Sequence, residues 1–235
     1  MRRISMLVVL LPVVLGGLLM FGRAATIGAQ DGTPAVVASP PPPGVIVPDP
    51  AECDITPRSI AEFAHIAATP PAPVPNADQR FSKPAQTPRP WTMPAGTPAD
   101  DATVAAATST LREALACLNA GDFLRFTALF SDEMIDILFT ISPLPPEAIP
   151  SLAASPVPSP PDQWLGYLRV HDARVLPDGR VAGLADDYDP TEPPYGMGTD
   201  FAIFVKVGDQ WLIDSLIENV VITGEATPEA GTPTS

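Results

Sequence analysis

Two side chains in the C-terminal half of this 235-residue chain could move a proton. Asp214 closes the stretch DFAIFVKVGDQWLID, and His171 sits in RVHDARV. A carboxylate among apolar residues has its charged form disfavoured, which raises its pKa and suits it to general-base work. Whether Asp214 has such surroundings depends on the turn before it. A two-residue turn at Gly208-Asp209 pairs Val207 with Gln210, Val205 with Leu212 and Ile203 with Asp214. Asp214 then shares the more apolar face with Phe201, Val205, Leu212 and Leu216. A three-residue turn moves it beside Phe204 and Lys206, because a slip of one residue exchanges the two faces of a strand. Glycine at the first central position suits the two-residue type II′ turn, so the inward aspartate is expected. Even inward, it could simply pair with Arg169, Arg174 or Arg180, or accept backbone hydrogen bonds.

His171 and Asp172 are adjacent on a strand, so alternation sends their side chains to opposite faces and denies them a dyad. A lone strand histidine is more often a satisfied surface residue than a catalyst. Tyr167, Tyr188 and Trp211 are candidates, with Asp214, to line a pocket mouth; the simpler reading of Trp211 is cross-strand packing. The acidic run with Asp186, Asp187, Asp189 and Glu192 lacks the spacing of a calcium loop and reads as a solvated loop. His65 and His171 are the only histidines, too few for a zinc site once the cysteines pair. No phosphate loop, nucleophile elbow or dinucleotide fingerprint occurs, so no metal and no cofactor is expected.

The elements that position these residues follow from periodicity and punctuation. Most of the 32 prolines fall in residues 34–98 and 143–161, and proline, without a backbone donor, cannot fill helix or sheet interiors. What is left for a core is roughly 100 residues, an ordinary size for a small domain. Thr97-Pro98-Ala99-Asp100 reads as a helix start. Val104, Ala107, Leu111, Ala114, Leu115 and Leu118 then form one apolar stripe, which Gly121 ends. Asp122 and Ser131 are placed to cap two further short helices. After the Pro-rich stretch 141–162 the pattern alternates: Tyr167–Leu176, a Pro177-Asp178-Gly179 turn, Val181–Ala185, and the final hairpin. Helices followed by antiparallel strands define an α+β class with helices on one face of the sheet.

The N-terminus has two arginines, an apolar run from Ile4 to Phe21, and small residues ending at Ala29. That is the layout of a secretory signal peptide, and the run is also long enough to stay as a single membrane anchor. In an exported chain the pair Cys53 and Cys117 is expected to form a disulfide, tethering a short helix at 57–67 to the main domain. The formal charge of −14 argues against nucleic acid and anionic membranes as partners. The expected organisation is a leader at 1–29, a Pro-rich linker at 30–50, the tethered helix within 51–68, and a second linker at 69–97. Phe81 and Trp91 are possible anchors of that second linker. A main domain at 98–221 and a disordered tail at 222–235 complete the chain.

The stretches LREALACLNAGDFLRFTALFSDEM, VHDARVLPDGRVAGL and FAIFVKVGDQWLID resemble the SnoaL-like, nuclear-transport-factor-2-like superfamily. The resemblance covers about 98–221 and implies a cone-shaped, strongly curved antiparallel sheet wrapped on N-terminal helices, with a pocket at the open end. Members include isomerases, dehydratases, cyclases and epoxide hydrolases, and many only bind ligands or partners, often as dimers. No catalytic signature of the family falls on residues of this chain. Three readings follow: an extracytoplasmic domain that binds a small apolar ligand or a protein partner, a small lyase or isomerase with Asp214 as base, and a module that forms a homodimer through the outer face of the sheet.

Overall fold

The computed structural model describes residues 40–68, 81–82, 88–141, 149–152, 156–191 and 196–225. The leader, residues 30–39 of the first linker, most of the second linker, Glu192 and the tail beyond 225 lie outside the described residues. Among the described residues no helix is long and apolar enough to cross a membrane.

The architecture is mixed α+β. Strands β3 (Thr97–Pro98), β4 (Gly166–Val175), β5 (Val181–Tyr188), β6 (Met197–Val207) and β7 (Gln210–Ile217) form an antiparallel sheet. Strand β1 (Phe81–Ser82) adds to β7 in parallel, giving the order β1-β7-β6-β5-β4-β3. Strand β2 (Arg89–Met93) pairs in parallel with β8 (Val220–Glu225) as a separate ribbon. The helices are α1 (Ile60–Ala68), α2 (Asp101–Asn119), α3 (Phe123–Ala128), α4 (Asp132–Ile141) and the single turn α5 (Ile149–Leu152).

The long helix α2 starts three residues later than the sequence suggests. Thr97 and Pro98 belong to β3, and Asp100 is the cap, its carboxylate accepting from the Thr103 amide at 2.8 Å. Proline is tolerated there because β3 is an edge strand. At its far end Gly121 takes φ +65°. The Gly121 amide then bonds Leu118 O and the Asp122 amide bonds Cys117 O, which satisfies two terminal carbonyls. Asp122 caps α3 through the Arg125 amide, and Ser131 Oγ accepts from Met134 N to cap α4.

One core joins these helices to the sheet. Ala114, Leu115 and Leu118 of α2, Phe126 of α3, and Met134 and Ile135 of α4 are buried with Val181, Ala202, Phe204 and Ile213. Phe63 of α1 also enters it, edge-on to Phe123 and Phe139. A second, smaller cluster lies on the opposite face of the sheet. There Leu184, Phe201 and Ile217 meet Met93 and Val220, with Trp91 against Phe201 at 5.1 Å between ring centroids. The stretch read as linker therefore supplies β1, β2 and the first residue of β3, and the stretch read as tail supplies β8 from Ile222 to Glu225. Asn219, at φ +55°, turns the chain from β7 towards β8.

The Cys53–Cys117 disulfide is present, with Cα atoms 4.7 Å apart. Helix α1 begins at Ile60 rather than Pro57. Arg58, just before it, holds the Phe130 and Thr127 carbonyls and the Asp132 carboxylate. These bonds, with the bridge, fix the N-terminal segment to the main domain.

Candidate functional site

The stripe of α2 and the helix-facing residues of β4–β7 do not close completely. Between them is a cavity of about 60 Å³. Its helical wall is Leu111, Ala114, Leu115 and Leu118, joined by Phe126 and Phe130; Ala202, Phe204, Ile213 and Leu216 form its floor. Polar groups gather at one end, where Tyr167, Tyr188, Asp187, Asp200 and Glu218 line it.

Register explains that gathering. Asp187 is the last residue but one of β5, opposite Tyr167 of β4 and Gly198 of β6. Asp200 is two residues further along β6 on the same face, opposite Ala185. Phe201 pairs with Ile217, so Glu218 follows directly on the far side of Asp200. Strands β5 and β6 and the residue that follows β7 thus bring one carboxylate each to the same end of the cavity. Asp200 Oδ1 also accepts from the Asn219 amide at 2.9 Å, holding the corner that follows β7. On the β4 side the Tyr167 side chain meets Arg112, whose guanidinium is bonded to Glu52.

Asp214 is buried but does not line the cavity. The hairpin has its two-residue turn, with Gly208 at φ +61° and Val207 opposite Gln210. Beyond Phe204–Ile213, however, the register shifts, and Ile203 pairs with Ser215 instead of Asp214. Asp214 is the extra residue of a β-bulge, which leaves Ile213, Asp214 and Ser215 consecutively buried. Its Oδ1 accepts from Ser131 Oγ at 2.7 Å and its Oδ2 from Arg180 Nη1 at 2.9 Å. Among the three arginines named as partners, Arg180 reaches it. Trp211 also lies outside the cavity lining and packs, half-buried, on the helical core.

His171 overturns the expectation of divergent side chains. Strand β4 is irregular between His171 and Arg174, and Asp172 adopts φ +49°. Asp172 Oδ2 consequently comes within 2.8 Å of His171 Nδ1, while Asp186 Oδ1 lies 3.3 Å from Nε2. Burial by itself would raise the Asp186 carboxyl, but bonds from Arg169, Thr199 and His171 outweigh it and hold its pKa below the usual value. Asp186 lies between two cavity-lining residues on its strand, so alternation puts this cluster on the opposite face. His171 therefore stands apart from the cavity.

The acidic run is also more ordered than a solvated loop. Asp186 and Asp187 belong to β5, and Asp189 Oδ1 accepts from both the amide and the hydroxyl of Thr191. Among the described residues no group of three His, Cys, Asp or Glu side chains is arranged to hold a metal. Asp187, Asp200 and Glu218 were not distinguished as site residues by sequence reasoning. The available signal was register: once β5 is extended to Tyr188, Asp187 faces the same side as Ala185.

Comparison with protein-family models, with curated proteins and with solved structures gives no match.

Proposed function

We propose that this is an exported, SnoaL-like domain that binds a small apolar ligand in the cavity between α2 and the sheet, without catalysing a reaction. The observation that carries this reading is the segregation of the lining: an apolar wall and floor, with tyrosine and carboxylate groups confined to one end. Ligand sites commonly combine an apolar body with a few polar groups that fix orientation. The ligand class is accordingly a small apolar molecule. Curvature of the sheet around α2, in the cone arrangement of the resembled superfamily, is the shape that would leave such a space. The leader sequence and the Cys53–Cys117 bridge support an extracytoplasmic location.

The lyase or isomerase reading rested on Asp214, which Arg180 and Ser131 engage away from the cavity. Dimerisation through the outer face is disfavoured because Trp91, Met93 and Val220 already pack against part of it. Titration with the apolar fluorophore N-phenyl-1-naphthylamine tests the proposal. Saturable one-to-one binding is expected, lost in Ala202→Leu, which fills the floor, and retained in the surface variant Val207→Ala. Equal binding to Ala202→Leu, with its fold intact by circular dichroism, counts against it.

A further inference from the structure

The cavity is small for the task assigned to it. About 60 Å³ is well below the roughly 150 Å³ of an engineered cavity that takes up benzene. A ligand of ring size or larger therefore requires one wall to move. Most walls are poor candidates: the floor is a hydrogen-bonded antiparallel sheet, and α3 and α4 are packed into the main core. The remaining wall is the seam between α2 and the first residues of β4, which Asn119 ties directly at one point, through two hydrogen bonds with the Leu165 backbone. Among the described residues, the outer edge of β4 pairs with β3 at Arg174–Val175 and otherwise bonds only Ala99 and Ile46.

Residues 45–53 bridge that seam. Ile46 and Tyr167 exchange two backbone hydrogen bonds, at 2.7 and 2.9 Å. The backbone of this arm lies so close to cavity-lining Gly166 that a Cβ there would come within 2.8 Å of Ile46 O. Its other end is fixed to α2 three times. Asn119 Nδ2 donates to Pro48 O at 3.0 Å, Arg112 pairs with Glu52, and Cys53 is covalently joined to Cys117. The points fixed on α2 are interleaved with the lining residues Leu111, Leu115 and Leu118, and the points fixed on β4 are themselves lining residues.

We infer that this arm is a latch on the ligand cavity: the Cys53–Cys117 bridge keeps residues 45–53 across the α2–β4 seam, and release of the arm from Tyr167 opens the cavity to ligand. The inference rests on the binding reading above and adds where the ligand enters and what restrains it. With the arm seated, the competent state is a minor population, and apparent affinity falls in proportion to that fraction.

The test compares N-phenyl-1-naphthylamine affinity in the full oxidised chain, in Cys53→Ala/Cys117→Ala, and in Ile46→Pro. The last removes the amide that bonds Tyr167 O and leaves the disulfide intact, so it serves if the double variant is too unstable. At least about tenfold tighter binding is expected in either latch variant. Adding Ala202→Leu to that variant should abolish the gain. Equal or weaker binding in both latch variants overturns the latch and leaves the binding reading standing. A gain that survives Ala202→Leu also overturns it, since the probe then binds elsewhere. Absence of saturable binding in every form overturns both.

Discussion

Arg180 Nη1 donates to Asp214 Oδ2 at 2.9 Å, across the intervening strand β6, while Ser131 Oγ holds the other carboxylate oxygen. A buried carboxylate satisfied at both oxygens by an arginine and a helix-capping serine is a structural tie between β5, β7 and the start of α4. Asp214→Ala would leave the partly exposed guanidinium without this partner and weaken the Ser131 cap. A loss of roughly 2–3 kcal/mol in unfolding free energy is expected. Denaturant unfolding measures it; probe affinity in the folded variant should be unchanged.

The bridge closes a segment with a sequence separation of 64 residues. Chain entropy alone assigns it about 4 kcal/mol of stabilisation, mostly by restricting the unfolded chain. Cys53→Ala/Cys117→Ala should accordingly lower the denaturant midpoint by a corresponding amount. Ile46→Pro should lower it much less, which separates loss of stability from release of the arm.

Asp136 on α4 has its pKa raised, first by burial and then by the neighbouring charges of Asp132 and Glu133. A raised carboxyl favours folding when protonated, and that contribution is lost as pH rises above the unfolded value. Asp136→Asn should therefore raise the melting temperature at pH 7, with the gain vanishing at pH 3. Asp178 has the opposite sign: the Arg180 hydrogen bond holds its pKa low, so its contribution is present at neutral pH and lost on acidification below the usual carboxyl range. Asp178→Asn should destabilise at pH 7 and be neutral at pH 2. Melting curves at these pH values check both.

Trp91 fastens the β2–β8 ribbon against Phe201, yet its Nε1 is buried with no hydrogen-bond partner among the described residues. An unmade buried hydrogen bond costs free energy, whereas loss of the ring costs packing. Trp91→Ala should destabilise by about 2–3 kcal/mol. Trp91→Phe should stay within about 1 kcal/mol of the parent or exceed it. Unfolding curves for the pair separate the two effects.

Local features of the fold were legible where chemistry marks a short stretch. The Asn119–Asp122 break between α2 and α3, the Ser131 cap and the Gly208 turn each follow from residue preferences acting over a few positions. The cysteine pair was legible from the expected compartment. Two β-bulges were not: nothing in the alternation of apolar residues marks Asp214 or Asp172 as out of step, and each displaced a candidate side chain. The β2–β8 ribbon joins segments some 130 residues apart, and the prolines around β2 argued against any strand there. Pro90 is accommodated because the ribbon has only two strands, each with an open edge. Tyr167 and Tyr188 line the cavity as two of the four named pocket candidates, whereas Asp187, Asp200 and Glu218 depended on a register that only the assembled sheet displays.

The proposed function depends on ligand occupying the space beneath α2, and methyl NMR on the full oxidised chain reports that occupancy directly. On titration with N-phenyl-1-naphthylamine, the methyl signals of Leu111, Leu115, Leu118 and Ala202 should shift together and saturate, while those of exposed Val157 and Val221 remain fixed. Saturating shifts confined to the exposed methyls, with the cavity signals unmoved, would contradict it.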